Sequence, residues 1–176
     1  MLVYHGSPSK FEMFDYSKIR TNGTSEGVGF YFTDNKEIAE HYADSTGYLY
    51  TVELNIGKSL SGEQKTISRN EMELLLKSIP EDIDFLSNYG DVDYEGYQSV
   101  LETTLESEYD YAESDADILG SLYNACGENQ VIIELFYSVL GFDSIIANPD
   151  WGENQTIYIA LTNEIVKIKE VSQKNE

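Results

Sequence analysis

The sequence predicts an α+β fold. Three observations carry that expectation. Strand-like segments fall at both ends of the chain, capping patterns and apolar 3.6-residue periods cluster between 68 and 140, and strand–helix–strand alternation is missing.

Leu2–Tyr4 reads as a short strand ended by His5-Gly6-Ser7-Pro8, where Gly and Pro punctuate it. Gly23–Gly29 is a glycine-rich loop, and Phe30-Tyr31-Phe32 an aromatic strand beyond it. Asp34 offers an N-cap with Glu37 as its capping-box partner, opening a helix over 35–44. Ile38, Ala39, Tyr42 and Ala43 share one face of that helix. Tyr50, Val52, Leu54 and Ile56 alternate with polar positions, so 48–56 is a half-buried strand.

Ser68 and Glu71 form a second capping box, and the helix they open ends before Pro80. Two or three further helices are expected over 91–140. The strongest carries Val131, Ile132, Leu135, Phe136, Val139 and Leu140, and Gly141 stops it. Strands return at Asp143–Ala147, Thr156–Leu161 and Ile165–Ile168. The expected organisation is a single domain over 1–170, with an acidic helical insertion at about 68–140 and a loose tail over 171–176.

Size and composition narrow the possibilities. The 176 residues suit one domain, and 41% hydrophobic with 24% charged residues sits near globular averages. No apolar run approaches the ~20 residues that span a bilayer. The opening MLVYHGSPSK lacks a basic region followed by an apolar stretch, so no secretory signal is expected and the cell interior is the expected location. Cys126 is alone and reads as a small buried residue. Two histidines, His5 and His41, with no cysteine pair leave no expected metal site.

Charge is the unusual quantity. The chain carries −21, yet residues 1–36 hold four acidic and four basic groups. Residues 71–117 hold fifteen carboxylates against Lys77 alone, a net −14. Duplex nucleic acid is therefore an unfavourable ligand, because its binding needs Lys and Arg to displace counterions. A basic protein would be drawn to the acidic block at long range. A solvated, solubilising face explains the same charge without a partner.

The standard nucleotide and nucleophile motifs are missing. Gly23, Gly27 and Gly29 do not have the dinucleotide-binding spacing, and no phosphate-binding P-loop or Gly-x-Ser-x-Gly elbow occurs. What stands out is His5-Gly6-Ser7 at a strand end, Tyr31 in Gly27-Val-Gly-Phe-Tyr-Phe-Thr-Asp34, and Tyr42 eleven residues later.

These residues resemble the ADP-ribosyltransferase superfamily, in its diphtheria-toxin and poly(ADP-ribose) polymerase branch. Yet more specifically, Tyr4-His5-Gly6-Ser7-Pro8 with the later Phe142-Asp143 is similar to the ADP-ribosyltransferase domains of phage and mobile-element polyvalent proteins. The match is good over about 2–56 and weaker over 142–168. It implies an ADP-ribosyltransferase-like split β-sheet core, with NAD as co-substrate and no metal.

The chemistry of these residues agrees. Cleaving nicotinamide from ribose develops positive charge on the sugar, so the site must grip ribose, hold the departing ring and place polarity beside the charge. An imidazole can hold a ribose hydroxyl with one nitrogen while backbone holds the other, which suits His5. Gly6 has no Cβ to keep a ligand amide from its backbone. Ser7 adds a hydroxyl, and Tyr31 and Tyr42 suit a sandwich around nicotinamide.

Two positions depart from the family. It places a glutamate at the mouth of the late strand. Here Gln155 falls at that position, and Glu153 lies two residues earlier. A glutamine accepts a hydroxyl proton without supplying negative charge, so single ADP-ribose transfer or NAD hydrolysis fits better than polymer synthesis. Ala39 stands where the polymerases carry a serine. The expected activity is mono-ADP-ribosylation of a macromolecular target, in chemical terms a pentosyl (glycosyl) transfer, by a phage or mobile-element effector. The expected target is a protein, basic or nucleic-acid-binding. An acidic decoy that blocks such a protein by charge mimicry is the alternative.

Overall fold

The structure is a computed structural model and describes residues 1–19, 27–148 and 155–174. Its architecture is mixed α+β, as the sequence predicts. In chain order it holds β1 (Leu2–Ser7), β2 (Phe30–Thr33), α1 (Lys36–Tyr42), β3 (Tyr48–Leu54) and β4 (Lys58–Ser61). Five helices follow: α2 (Arg69–Lys77), α3 (Val92–Glu95), α4 (Tyr97–Leu105), α5 (Asp115–Ala125) and α6 (Gln130–Ser138). Then come β5 (Phe142–Ala147), β6 (Ile157–Ala160) and β7 (Val166–Gln173).

The seven strands form one sheet in the order β4-β5-β6-β2-β1-β3-β7. The β4–β5 pair is parallel and the other pairs antiparallel. Parallel neighbours need a long crossover, and the helices α2–α6 supply it. The sheet is weakest at its centre. β1 pairs with β3 along its whole length and β2 with β6 along all four residues, but β1 and β2 share only the Tyr4–Thr33 position. Beyond that point the two strands part, leaving a seam beside Gly6 and Tyr31.

Each face has its own core, because successive strand side chains point to opposite sides. One face buries Ile145, Ile157 and Ile159 beneath Met72, Leu101, Leu119, Leu122 and Phe136 of the helices. The other gathers Val3, Phe30, Phe32, Tyr50, Val52 and Leu54, with Phe14 from the segment after β1 laid over them.

Several boundaries differ from expectation for local reasons. β1 runs to Ser7, because Gly6 and Ser7 stay paired with Leu49 and Tyr48. Asn35, not Asp34, caps α1, its side chain accepting from the Glu37 and Ile38 N–H groups. Ser68 and Glu71 do form the predicted capping box, a motif whose loss costs about 1 kcal/mol. β4 had no alternating apolar pattern to announce it, as suits a short edge strand. Four helices occupy 91–140 instead of two or three. The expected tail over 171–176 is corrected: β7 continues to Gln173, with Val171 paired to Tyr50 and packed on its aromatic core.

Candidate functional site

His5 sits on β1 opposite Tyr50. Its ring lies edge-on to Phe14 at 5.0 Å, with Phe11, Phe32 and Tyr50 at 5.8–5.9 Å. Tyr50 builds this cage: its ring stacks on Phe11 at 4.2 Å. Its hydroxyl accepts from the Phe11 N–H (2.6 Å) and donates to the Phe11 carbonyl (3.1 Å). Sequence reasoning placed Tyr50 only in a strand. The available signal was its hydroxyl, since a buried tyrosine must find a polar partner.

The His5 Nδ1 lies 2.7 Å from the Tyr31 carbonyl oxygen. A carbonyl only accepts, so Nδ1 carries the proton and Nε2 presents a lone pair in the neutral ring. Burial holds the imidazole below its ordinary pKa, against the opposing pull of the Tyr31 carbonyl. Nε2 forms no hydrogen bond among the described residues. Because no sealed polar atom there lacks a partner, Nε2 reaches the outside.

Packing places its own demand on Gly6. A Cβ there would lie 1.8 Å from the Ala39 carbonyl oxygen and 2.8 Å from Ala43 N. The missing side chain lets α1 pack its backbone directly onto β1. The buried Ser7 hydroxyl donates to the Ser9 carbonyl (2.9 Å) and accepts from the Ser9 N–H (3.2 Å), closing the turn after β1.

Tyr31 and Thr33 point to the face opposite His5, as alternation along β2 requires. Tyr31 packs against the helix-covered core and donates its hydroxyl to the Gly27 carbonyl at 2.6 Å. Gly29, just before β2, lets the neighbouring β6 lie close: its φ of +152° is a glycine conformation, and a Cβ would meet the Ala160 carbonyl at 2.7 Å. Tyr42 ends α1 on the same side, 51% exposed, with its ring edge toward His41. The imidazole and the phenols thus occupy opposite faces of the sheet, and the His5–Tyr31 hydrogen bond joins them across the seam.

Gln155 precedes β6, 8% exposed, beside Thr33. The Thr33 hydroxyl donates to its Oε1 at 3.5 Å. The oxygen expected to face a ligand hydroxyl thus has one of its two lone pairs turned toward Thr33. Asp34 holds the adjoining backbone: its carboxylate accepts from Thr156 N–H (2.9 Å), and its own N–H donates to the Thr156 carbonyl (3.4 Å). This clasp explains why Asp34 does not cap α1. Glu153 lies outside the described residues.

The acidic helices are mostly solvated. Among the fifteen carboxylates of 71–117, only Glu108 and Asp115 are buried. Asp115 accepts from the N–H groups of Ser61, Thr66 and Ile67, pinning that loop to α5. Arg69 pairs with Glu102 at 2.9 Å and Asp110 at 3.6 Å along a groove that Glu106 and Tyr111 also line. Cys126 is buried, and desolvation together with the Glu108 carboxylate pushes its thiol up to about 11, away from thiolate chemistry. Among the described residues no three His, Cys, Asp or Glu side chains gather as a metal site, and no helix is long and apolar enough to cross a membrane.

No curated protein and no solved structure matches the chain. One family model does, described as ADP-ribosyltransferase in polyvalent proteins, and it matches residues 1–176. The likeness read from His5-Gly6-Ser7 and the Tyr31 segment thus extends over the acidic insertion as well. The family's substrate is NAD. With its seven-stranded sheet parted at the centre and the His-Gly-Ser strand at the seam, this chain belongs to the ADP-ribosyltransferases of polyvalent proteins.

Proposed function

We propose that the chain is an NAD-dependent mono-ADP-ribosyltransferase that modifies a protein target, deployed as an effector by a phage or mobile element. The hydrogen bond from His5 to the Tyr31 carbonyl carries this reading. It leaves a neutral imidazole with an open Nε2, the group needed to accept from a ribose hydroxyl. In this reading the Gly6 backbone pairs with the nicotinamide amide and Ser7 supports that strand end. Tyr31 and Tyr42 flank the ring from the α1 side of the sheet. Gln155, or Glu153, stands beside the ribose. A neutral glutamine supplies no charge-assisted bond to the developing cation, which favours one transfer over chain growth.

The test is incubation of the purified chain with NAD labelled in the adenylate moiety and a bacterial extract. Labelled protein together with released nicotinamide is the expected result. Neither product, at any extract concentration, overturns the reading.

The second reading, an acidic decoy for a basic nucleic-acid-binding protein, is favoured by the exposure of the acidic helices. Asp82, Asp84 and Asp93 are all exposed and pair with no basic side chain among the described residues. The two readings are compatible, with the acidic face recruiting a basic target. Changing these three to Asn should weaken target capture at low salt and leave nicotinamide release intact. Capture that is insensitive to salt removes the decoy reading.

A further inference from the structure

We propose that Thr33 is a positioning residue for Gln155: its hydroxyl takes Oε1, so that the carboxamide presents the two hydrogens of Nε2 to the ligand. This deepens the proposed function and rests on it for the identity of the ligand.

The argument is one of hydrogen accounting. The Thr33 hydroxyl is buried and accepts from the Asn35 N–H at 3.1 Å, so its single proton needs an acceptor elsewhere. Gln155 Oε1 is that acceptor. A carboxamide turned the other way would set N–H against the hydroxyl and strand its proton in a buried place. The backbone leaves little freedom for another solution, because the Asp34–Thr156 clasp fixes the residue that follows Gln155.

The other end of the carboxamide is then unused. Gln155 is nine-tenths buried, and Nε2 donates to nothing among the described residues. No sealed side-chain nitrogen there goes without a partner, so this one retains contact with the outside. It lies on the same face as Tyr31, two strand positions from Thr33. Such a site grips a ligand through acceptor atoms, such as the lone pairs of a sugar hydroxyl. It turns the positive end of an amide dipole toward any cation that forms there.

The hydroxyl and the carboxamide therefore act as one unit in binding. Thr33→Val, nearly isosteric, removes the hydroxyl and lets the carboxamide rotate. NAD affinity should fall about tenfold by calorimetry, the scale of one well-oriented hydrogen bond. Thr33→Ser should restore most of it. In a Gln155→Leu background, Thr33→Val should cause no further loss, because nothing remains to be positioned. An equal loss in both backgrounds overturns the proposal and makes Thr33 a structural residue.

A second measurement does not depend on NAD. In 15N-labelled protein the Gln155 side-chain amide should shift and broaden in Thr33→Val and recover in Thr33→Ser. An unchanged amide signal overturns the positioning role. If the protein binds no NAD while this signal responds, the functional reading fails and the positioning role stands.

Discussion

His5 Nδ1 lies 2.7 Å from the Tyr31 carbonyl oxygen, spanning the place where β1 and β2 stop pairing. A side chain there replaces the ladder bond that the parted strands cannot make. The same contact fixes the tautomer of the ring and therefore the character of its free nitrogen.

The first prediction concerns pH. Burial holds the folded imidazole below its ordinary 6.5, so below that value the unfolded chain takes up a proton that the folded chain refuses. The contribution is intact above 6.5 and is lost progressively as pH falls through it. Melting temperature should therefore drop between pH 7 and 5.5 more steeply in the native protein than in His5→Gln. NAD turnover by the folded protein should hold through that window and fall only at lower pH, where Nε2 gains its proton. Parallel melting curves for the two proteins would refute the buried neutral imidazole.

Removing the ring should silence the site. His5→Ala deletes the Nε2 acceptor and leaves the Tyr31 carbonyl without its donor. Nicotinamide release should fall by at least about a hundredfold, within the range of a lost catalytic contact of this kind. Turnover unchanged in a folded variant would remove His5 from the site.

Gly6→Ala tests the close approach of α1. The new methyl would overlap the Ala39 carbonyl, and both atoms belong to elements with little room to shift. Overpacking of this kind costs about 1–3 kcal/mol, and the backbone partner places this case at the upper end. Urea unfolding should show it, with α1 losing hydrogen-exchange protection first.

Asp115→Leu should be among the most damaging changes away from the site. It removes the acceptor for three backbone N–H groups in the 61–67 loop, and each one left buried and unpaired costs about 1–3 kcal/mol. The expected result is loss of cooperative unfolding at 37 °C. Asp115→Asn, which keeps one acceptor oxygen, should be milder.

Gln155→Glu should raise nicotinamide release about tenfold, because a carboxylate forms a charge-assisted bond roughly twice as strong as a neutral one. The Thr33 hydroxyl can donate to either side chain, so the fold should tolerate the change. A variant that binds NAD equally and turns over no faster would show that charge at this position does not limit the reaction.

Local pattern alone announced much of this protein. Alternation at Tyr50–Leu54, the Ser68–Glu71 capping box and the apolar period of 131–140 each fix their element through contacts a few residues apart. The order His5-Gly6-Ser7, then Gly29 and Tyr31, pointed to the family before any geometry. What the sequence concealed depends on partners far along the chain. β4 is a strand only because β5, more than eighty residues later, lies beside it. The packing demand on Gly6 was hidden too, since only the tertiary structure shows that α1 fills the space of its missing Cβ. The same holds for Gln155. Its identity is written in the sequence, but its hydroxyl partner lies 122 residues away and is brought beside it only by the pairing of β2 with β6.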